Sequence, residues 1–519
     1  MARVRPALMA RVRPATALAA ALVVVLGGAG AAAAAPVSGG DAKVAAKAAG
    51  TPLPPELEEI RAKEAQELYG SPEAPPLDER KAGVISLGDS EISGEGVGTY
   101  EPGTDGPDNW CHRSPDAAVH RTGIDVDVSY NVACSGASTE NIRIGGTKQY
   151  PDELVQSDSL AIKARNTRLK QIELVVGAND DLQFGPVMTD CVTRYLTLQG
   201  RCEPKYDAGW DARVDGLVPK VVGTIDDLRT VMREAGYADD DYQLVVMGYP
   251  SPIGPDVKDN PDFPGKLIGG CVGYTSDAAW GRNTAVPKFE KGIREAAQRT
   301  GASYLDASRL FHGHEVCMEN TWARGLYVDL SNPIPPDANS VRQSFHPNER
   351  GHGAFATCFT KMYQAGRQGA REASCADPRG AGKPRLYELA WDDAFERLRN
   401  EDTGTCLDAD GGQSTVGTDV RGWSCKPGQR NQLWWYDAEG ESLYAGQTHD
   451  RCVQSEGEAR DGAGLELGNC SDAAAQRFVR DGATLRPASD AGLCVTLAGL
   501  EDRAKLAPCD GSAAQRFSS

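Results

Sequence analysis

The chain has 519 residues, 40% of them apolar and 25% charged, with 55 basic against 73 acidic side chains and a formal charge of −18. A single hydrophobic core saturates at roughly 250–300 residues, so two or three soluble globular domains are expected. The acidic surplus leaves few Lys or Arg to neutralise phosphates, which excludes a general nucleic-acid or anionic-membrane binder. The 14 cysteines are even in number and show no CxxC or zinc-ribbon spacing. They fit the disulfides of an exported protein better than a metal site.

Residues 1–35 read as a signal peptide. Arg3, Arg5, Arg11 and Arg13 precede an Ala-rich apolar stretch that ends in Ala33-Ala34-Ala35, the small-residue pattern a signal peptidase needs. The octet MARVRPAL is followed by MARVRPAT, so the start is either Met1 or Met9. Loss of 1–35 leaves 51 basic against 73 acidic residues, a charge of −22. The stretch is too weakly hydrophobic for a retained span, and no stable membrane insertion is expected. Residues 36–80, rich in Ala, Pro, Glu and Lys, read as a linker or pro-region with one short charged helix over Pro54–Tyr69.

From 81 to 380 the apolar runs VISL (Val84–Leu87), ELVVG (Glu173–Gly177), YQLVVMGY (Tyr242–Tyr249) and SYLDAS (Ser303–Ser308) are separated by long helical or loop stretches. Continuous apolar strands spaced by helices predict an α/β domain with a parallel sheet covered on both faces. A Gly/Pro/Arg-rich linker follows over 381–395. Residues 396–519 repeat three times: CLDADGG, CVQSEGE and CVTLAGL open the units. Gln432, Gln476 and Gln515 mark their ends at spacings of 44 and 39 residues, a repeat architecture.

The first strand runs into Gly88-Asp89-Ser90. A serine there sits at the carboxyl end of a strand, where open parallel sheets bind ligands. As a nucleophile it needs a base, an orienting group and donors for an oxyanion. Gly136 in NVACSGAST, Asn179 in VVGANDD and His346 in SFHPN complete an ordered set. Taken together, these blocks resemble those of the secreted SGNH (GDSL) ester hydrolases, across about 81–380. The resemblance implies a three-layer domain with a flavodoxin-like sheet. It also implies Ser90 as nucleophile, His346 as base, and Ser90, Gly136 and Asn179 as the oxyanion hole. No metal or organic cofactor is called for.

One position departs from the family pattern. Where an Asp often stands three residues before the histidine, this chain has Gln343. Either another acid reaches His346 or a backbone carbonyl holds its second nitrogen. GEGVGTY and NWCHRSP look like a branch of the family that uses a Ser–His dyad, so the carbonyl of Gln343 is the expected orienter. GEGVG is read as a flexible wall of the ester site. His352 is expected to pack in a helix, and His312 and His314 to line the cleft without chemistry. Neighbouring cysteines pair as the resemblance implies: Cys111–Cys134, Cys191–Cys202 and Cys271–Cys317, with Cys358–Cys375 as a fourth.

The three repeats look like a ricin B-type β-trefoil lectin, with Gln432-Leu433-Trp434 keeping the Q-x-W mark. That resemblance implies one disulfide per unit: Cys406–Cys425, Cys452–Cys470 and Cys494–Cys509. Asp408, Trp423 and Asn431 supply an acid, an aromatic face and an amide for a sugar in the first unit. The equivalent positions hold Gln454, Gly468 and Ala475 in the second and Thr496, Ala507 and Ala514 in the third, so only the first is expected to bind. The expected whole is a secreted, monomeric carboxylic-ester hydrolase targeted to a glycan, acting on a lipid or aryl ester. A polysaccharide O-acetyl esterase is one alternative, and a carbohydrate-binding protein with an inactive hydrolase domain is another.

Overall fold

The computed structural model describes residues 51–255, 270–318, 320–327, 341–377, 382–387, 395–426, 429–438, 440–447 and 451–518. The expected signal peptide and residues 36–50 of the expected linker lie outside them. The first domain is built on strands β1 (Ala82–Gly88), β2 (Val128–Asn131), β3 (Arg168–Val175), β4 (Gln243–Met247), β5 (Ser303–Asp306), β6 (Glu372–Ala376) and β7 (Arg385–Tyr387). All four apolar runs of the sequence are among them. They are rich in aliphatic side chains that a doubly covered sheet buries on both faces. Val84, Ile85, Leu87, Ile172, Leu174 and Val175 are fully buried.

The strand order is β2-β1-β3-β4-β5-β6-β7, parallel except for β7. This is the flavodoxin-like arrangement. The connection after β1 runs to β2 on one side and the connection after β3 runs to β4 on the other, so a crevice opens at the carboxyl ends of these two neighbouring strands.

The helices are α1 (Pro55–Tyr69), α2 (Ser90–Ser93), α3 (Gln156–Asn166), α4 (Phe184–Leu196), α5 (Glu203–Glu234), α6 (Thr275–Trp280), α7 (Val286–Thr300) and α8 (Glu349–Gly366). On α5 the buried residues Tyr206, Trp210, Val214, Leu217, Val221, Ile225, Leu228 and Met232 recur every three or four positions. They form one apolar stripe in the main core, and burial of each large aliphatic residue contributes roughly 1.5–3 kcal/mol.

Two expected linkers prove to be partly structured. α1 falls inside the segment read as linker, yet Ala65 and Arg61 are buried. Asn166 at the end of α3 donates to the Arg61 carbonyl (2.8 Å), and Tyr69 Oη donates to the Asn166 carbonyl (2.7 Å). A charged helix can therefore belong to a domain when one polar residue meets its backbone. Likewise β7 lies in the stretch read as a 381–395 linker but pairs with β6. Tyr387 stands edge-on to Trp435 of the repeat domain, ring centroids 4.7 Å apart.

Residues 395–518 form the repeat domain from short antiparallel pairs, beginning with β8 (Arg399–Asn400), β9 (Cys406–Ala409), β10 (Val420–Trp423), β11 (Trp434–Asp437) and β12 (Ser442–Ala445). It has its own core around Leu407, Trp434, Val453, Leu467, Phe478, Leu497 and Phe517. Seven disulfides join Cys111–Cys134, Cys191–Cys202, Cys271–Cys317, Cys358–Cys375, Cys406–Cys425, Cys452–Cys470 and Cys494–Cys509. Among the described residues no helix is long and apolar enough to cross a membrane.

One core residue is out of place chemically. Glu173, in the middle of β3, is fully buried, and neither carboxylate oxygen has a hydrogen-bond partner among the described residues. Burial pushes this carboxyl well above the ordinary range. A carboxyl whose folded value is raised loses stability as pH rises from its unfolded value toward the folded one. Glu173→Met, close in volume, is therefore expected to gain about 1–3 kcal/mol at pH 8 and much less at pH 5. Urea denaturation at the two pH values measures this, and an equal or negative effect at pH 8 would refute it.

Candidate active site

Ser90 is placed by the end of β1. Gly88 has φ +140°, and a Cβ there would fall 2.0 Å from the Val175 carbonyl oxygen, so only glycine lets β1 run this close to β3. Gln156 holds the turn from the other side: its Oε1 accepts from the Gly88 amide (2.7 Å) and its Nε2 donates to the Gly88 carbonyl (2.8 Å). Asp89 then caps α2, accepting from the Glu91 amide (3.0 Å) and from Tyr249 Oη (2.6 Å). Burial raises the Asp89 carboxyl to about 7 against the opposing pull of the Tyr249 hydroxyl. Ser90 is the first residue of α2 and is half-buried, so its hydroxyl is held yet reachable.

His346 comes to the same place from a sequence distance of 256 residues. Its Nε2 lies 2.8 Å from Ser90 Oγ, and its Nδ1 lies 3.0 Å from the Ser344 carbonyl oxygen. The carbonyl can only accept, so Nδ1 carries the hydrogen and Nε2 is left to accept from the serine hydroxyl. The segment is fixed by backbone bonds: Arg324 N donates to the His346 carbonyl (2.8 Å) and Phe345 N donates to the Arg324 carbonyl (2.8 Å).

The expected Gln343 carbonyl is not the acceptor. Phe345 takes a left-handed φ of +63°, which folds the chain back so that the carbonyl two residues before the histidine faces its ring. The Gln343 side chain instead accepts from the Arg324 guanidinium. Burial holds His346 below the ordinary imidazole range. The Glu95 carboxylate and the Ser344 and Arg342 carbonyls oppose that shift, and the Arg342 guanidinium adds to it.

Gly136 and Asn179 follow β2 and β3, so both reach the same sheet edge. Asn179 Nδ2 donates to the Ala137 carbonyl at 2.9 Å and approaches Asp89 Oδ2 at 3.5 Å. It thereby ties the Gly136 turn to the residue before Ser90. Arg342 is exposed beside that turn: a Cβ on Gly136 would lie 3.1 Å from its Nη2.

The repeat domain places the first-unit residues on one ribbon. β9 and β10 pair Asp408 with Arg421 and Cys406 with Trp423, so Asp408 and Trp423 share a face. Asn431 Nδ2 donates to Asp408 Oδ2 at 3.0 Å, and Gln432 Nε2 donates to the same oxygen at 2.8 Å. The other units repeat the second bond: Gln476 donates to Gln454 (3.0 Å) and Gln515 to Thr496 (3.1 Å). Asp408 thus has a structural task common to all three units, while Asn431 and the half-buried Trp423 are particular to the first.

The sequence profile of the GDSL-like lipase/acylhydrolase family matches residues 86–354, more than half of the chain. The chain belongs to this family. It is a carboxylic-ester hydrolase, and its C-terminal part carries a ricin-type β-trefoil lectin domain, matched over 364–457 and 394–517. A lipase of Streptomyces rimosus is 26% identical over 271 residues, 51% of this chain and 84% of the relative. Lipase 2 of Streptomyces coelicolor is 27% identical over 271 residues, 50% and 82%. Among solved structures, the extracellular lipase of S. rimosus covers 55% of this chain and 99% of its own at 21% identity, TM-score 0.36. The C-half of an earthworm R-type lectin covers 24% and 96% at 21% identity, TM-score 0.21.

Within the GDSL domain, several functional positions were not legible in the sequence. Ser344 acts through its backbone, and Gln156 and Tyr249 act on the turn from distant elements. The first part of GEGVG, expected as a flexible wall, is packed: Gly94 and Glu95 are buried, and a Cβ on Gly96 would meet the His346 carbonyl oxygen at 2.6 Å, while Gly98 is exposed. His352 is buried in α8 as expected, with burial pushing it down to about 3. His314 does not serve the cleft. It stacks on Trp322, centroids 3.7 Å apart, and its Nε2 lies 2.9 Å from Asp377.

Proposed function

We propose that the protein is an exported ester hydrolase working through a Ser90–His346 dyad and held on a glycan by the first trefoil unit. The reading rests on one observation above the others: Nε2 of His346 is 2.8 Å from Ser90 Oγ while Nδ1 is held by a carbonyl. Ser90 Oγ attacks the acyl carbon as its proton passes to Nε2, and the same proton then leaves with the departing alcohol. Water, deprotonated by His346, releases the acid from Ser90. The amides of Ser90 and Gly136 and the Asn179 side chain are the donors for the oxyanion. Asn179 has one short bond and one at the 3.5 Å limit, so one hydrogen is available for the developing charge.

The substrate class proposed is a lipid or aryl carboxylic ester. Seven disulfides, each closing a loop, support an oxidising compartment. The test is a chain-length series of p-nitrophenyl esters set beside acetylated xylan, with wild type and Ser90→Ala. Turnover of the aryl esters that Ser90→Ala lowers by about 10³-fold or more is expected. Unchanged turnover in Ser90→Ala would remove the serine assignment. Rate confined to acetyl esters, with acetate released from xylan, would replace the substrate class with a polysaccharide O-acetyl group.

A further inference from the structure

Both nitrogens of the His346 ring are satisfied, by Ser90 Oγ and the Ser344 carbonyl. Among the described residues no carboxylate bonds it, so the positive charge it takes up during the reaction has a carbonyl dipole directly against it. A full negative charge that acts on the ring comes from the loop after α2. There, a Cβ on Gly96 would lie 2.5 Å from the Pro347 carbonyl oxygen and 2.6 Å from that of His346. No side chain fits, and the loop backbone lies flat against the histidine. That approach carries the preceding residue, Glu95, into the interior, where it is fully buried.

Glu95 is held there by a built network. Its Oε1 lies 2.8 Å from His112 Nδ1, and His112 Nε2 lies 3.2 Å from Asp105 Oδ1. The His112 ring is stacked on Tyr100, centroids 4.2 Å apart, and His112 itself holds a left-handed φ of +47°. Tyr100 Oη donates to the Glu95 carbonyl. The second carboxylate oxygen, Oε2, is buried and has no hydrogen-bond partner among the described residues. A half-bonded buried carboxylate costs folding free energy, and packing alone gives no reason to keep one beside the base of the reaction.

We propose that Glu95 is a positioning residue for ester hydrolysis, a buried carboxylate that steadies the protonated His346 in place of the missing triad acid. The inference rests on the Ser90–His346 reading. The other titratable or charged groups facing His346 are Arg342, whose guanidinium opposes its protonation, and His352 on α8. Those facing Glu95 are His112 and, on its carbonyl side, Tyr100.

The sign is fixed by the chemistry. His346 must be unprotonated to act as base, so kcat/KM falls on the acid side as the free enzyme's His346 gains a proton. A facing carboxylate favours the protonated ring, and its removal moves the acid limb to lower pH while weakening the charged transition state. Glu95→Gln is expected to shift the limb down by about half a pH unit or more and to lower the plateau rate about tenfold. Glu95→Asp keeps the charge but withdraws it by one methylene, so it is expected to shift the limb down by less.

The experiment is the kcat/KM–pH profile of the full chain and both variants on a p-nitrophenyl ester, with melting midpoints recorded alongside. A merely structural role would lower the midpoint and the rate without moving the limb. An unmoved or upward limb in folded Glu95→Gln overturns the proposal. If that variant does not fold, the same result in Glu95→Asp overturns it. The parent reading fails separately, by retained turnover in Ser90→Ala or His346→Ala. Loss of turnover in those two with no limb shift at Glu95 would sink the role of Glu95 alone.

Discussion

His346→Ala is expected to lower kcat/KM for an ester by at least about 10³-fold, with KM little changed, because the base is lost while the binding surface stays. The contrasting variants carry as much information. Gln343→Ala is expected to stay within about threefold of wild type, since its side chain touches Arg324 and its carbonyl is not the one facing the ring. Ser344→Ala keeps the carbonyl that accepts from Nδ1 and removes only the hydroxyl bonded by the Tyr327 amide, so a loss of no more than about tenfold is expected. A triad with a hidden side-chain acid would give a different pattern, in which one further acidic position matched His346→Ala. The profile adds a second check: with burial holding the imidazole below its usual range, the acid limb should lie below the ordinary imidazole value of about 6.5. A limb above that value, or a loss of less than tenfold in His346→Ala, would remove His346 from the reaction.

The contrast between Gln343 and Ser344 also shows where sequence reading stops. Ser90 and Asn179 were legible because each follows an apolar strand, and strand ends of a parallel sheet converge on one crevice. Gly136 was legible from its own block, NVACSGAST, after a half-buried strand that the sequence did not single out. His346 was legible from its own short block near the domain's end. Which carbonyl holds it was not, because that is decided by one backbone angle, the +63° φ of Phe345, which no residue type there signals. Glu95 could be seen as an acid in a glycine-rich turn, but its burial depends on His112, 17 residues on. Charge alone misled for α1: its five Glu with Arg61 and Lys63 suggested a solvated linker, while the deciding contact, between Arg61 and Asn166, spans 105 residues. In the repeat domain the opposite holds. Three copies of one pattern made the fold plain, because Gln432, Gln476 and Gln515 are each buried and each satisfy the same local backbone groups.

Trp434→Ala is expected to destabilise the trefoil by about 3–5 kcal/mol, a large share of the roughly 5–15 kcal/mol that holds a typical domain folded. Trp434 is fully buried, its Nε1 donates to the Leu407 carbonyl at 2.9 Å, and it lies in the core that Phe478 and Phe517 complete from the other units. Truncation would leave a cavity and an unpaired carbonyl together, and the disulfides on either side do not refill it. Trp423, also in the first unit, is half-buried at the end of β10. Trp423→Ala is therefore expected to change stability by no more than about 1 kcal/mol while abolishing retention on a glycan column. The GDSL domain has a separate core, so turnover of a soluble p-nitrophenyl ester should survive both changes. Denaturant titration, glycan retention and ester turnover measured on the same two variants separate the roles. Unchanged retention in Trp423→Ala would discard the first-unit sugar site, and a stable trefoil in Trp434→Ala would contradict the packing argument. The pair asks whether a tryptophan beside the Q-x-W mark serves the core or the ligand, and burial assigns the former to Trp434.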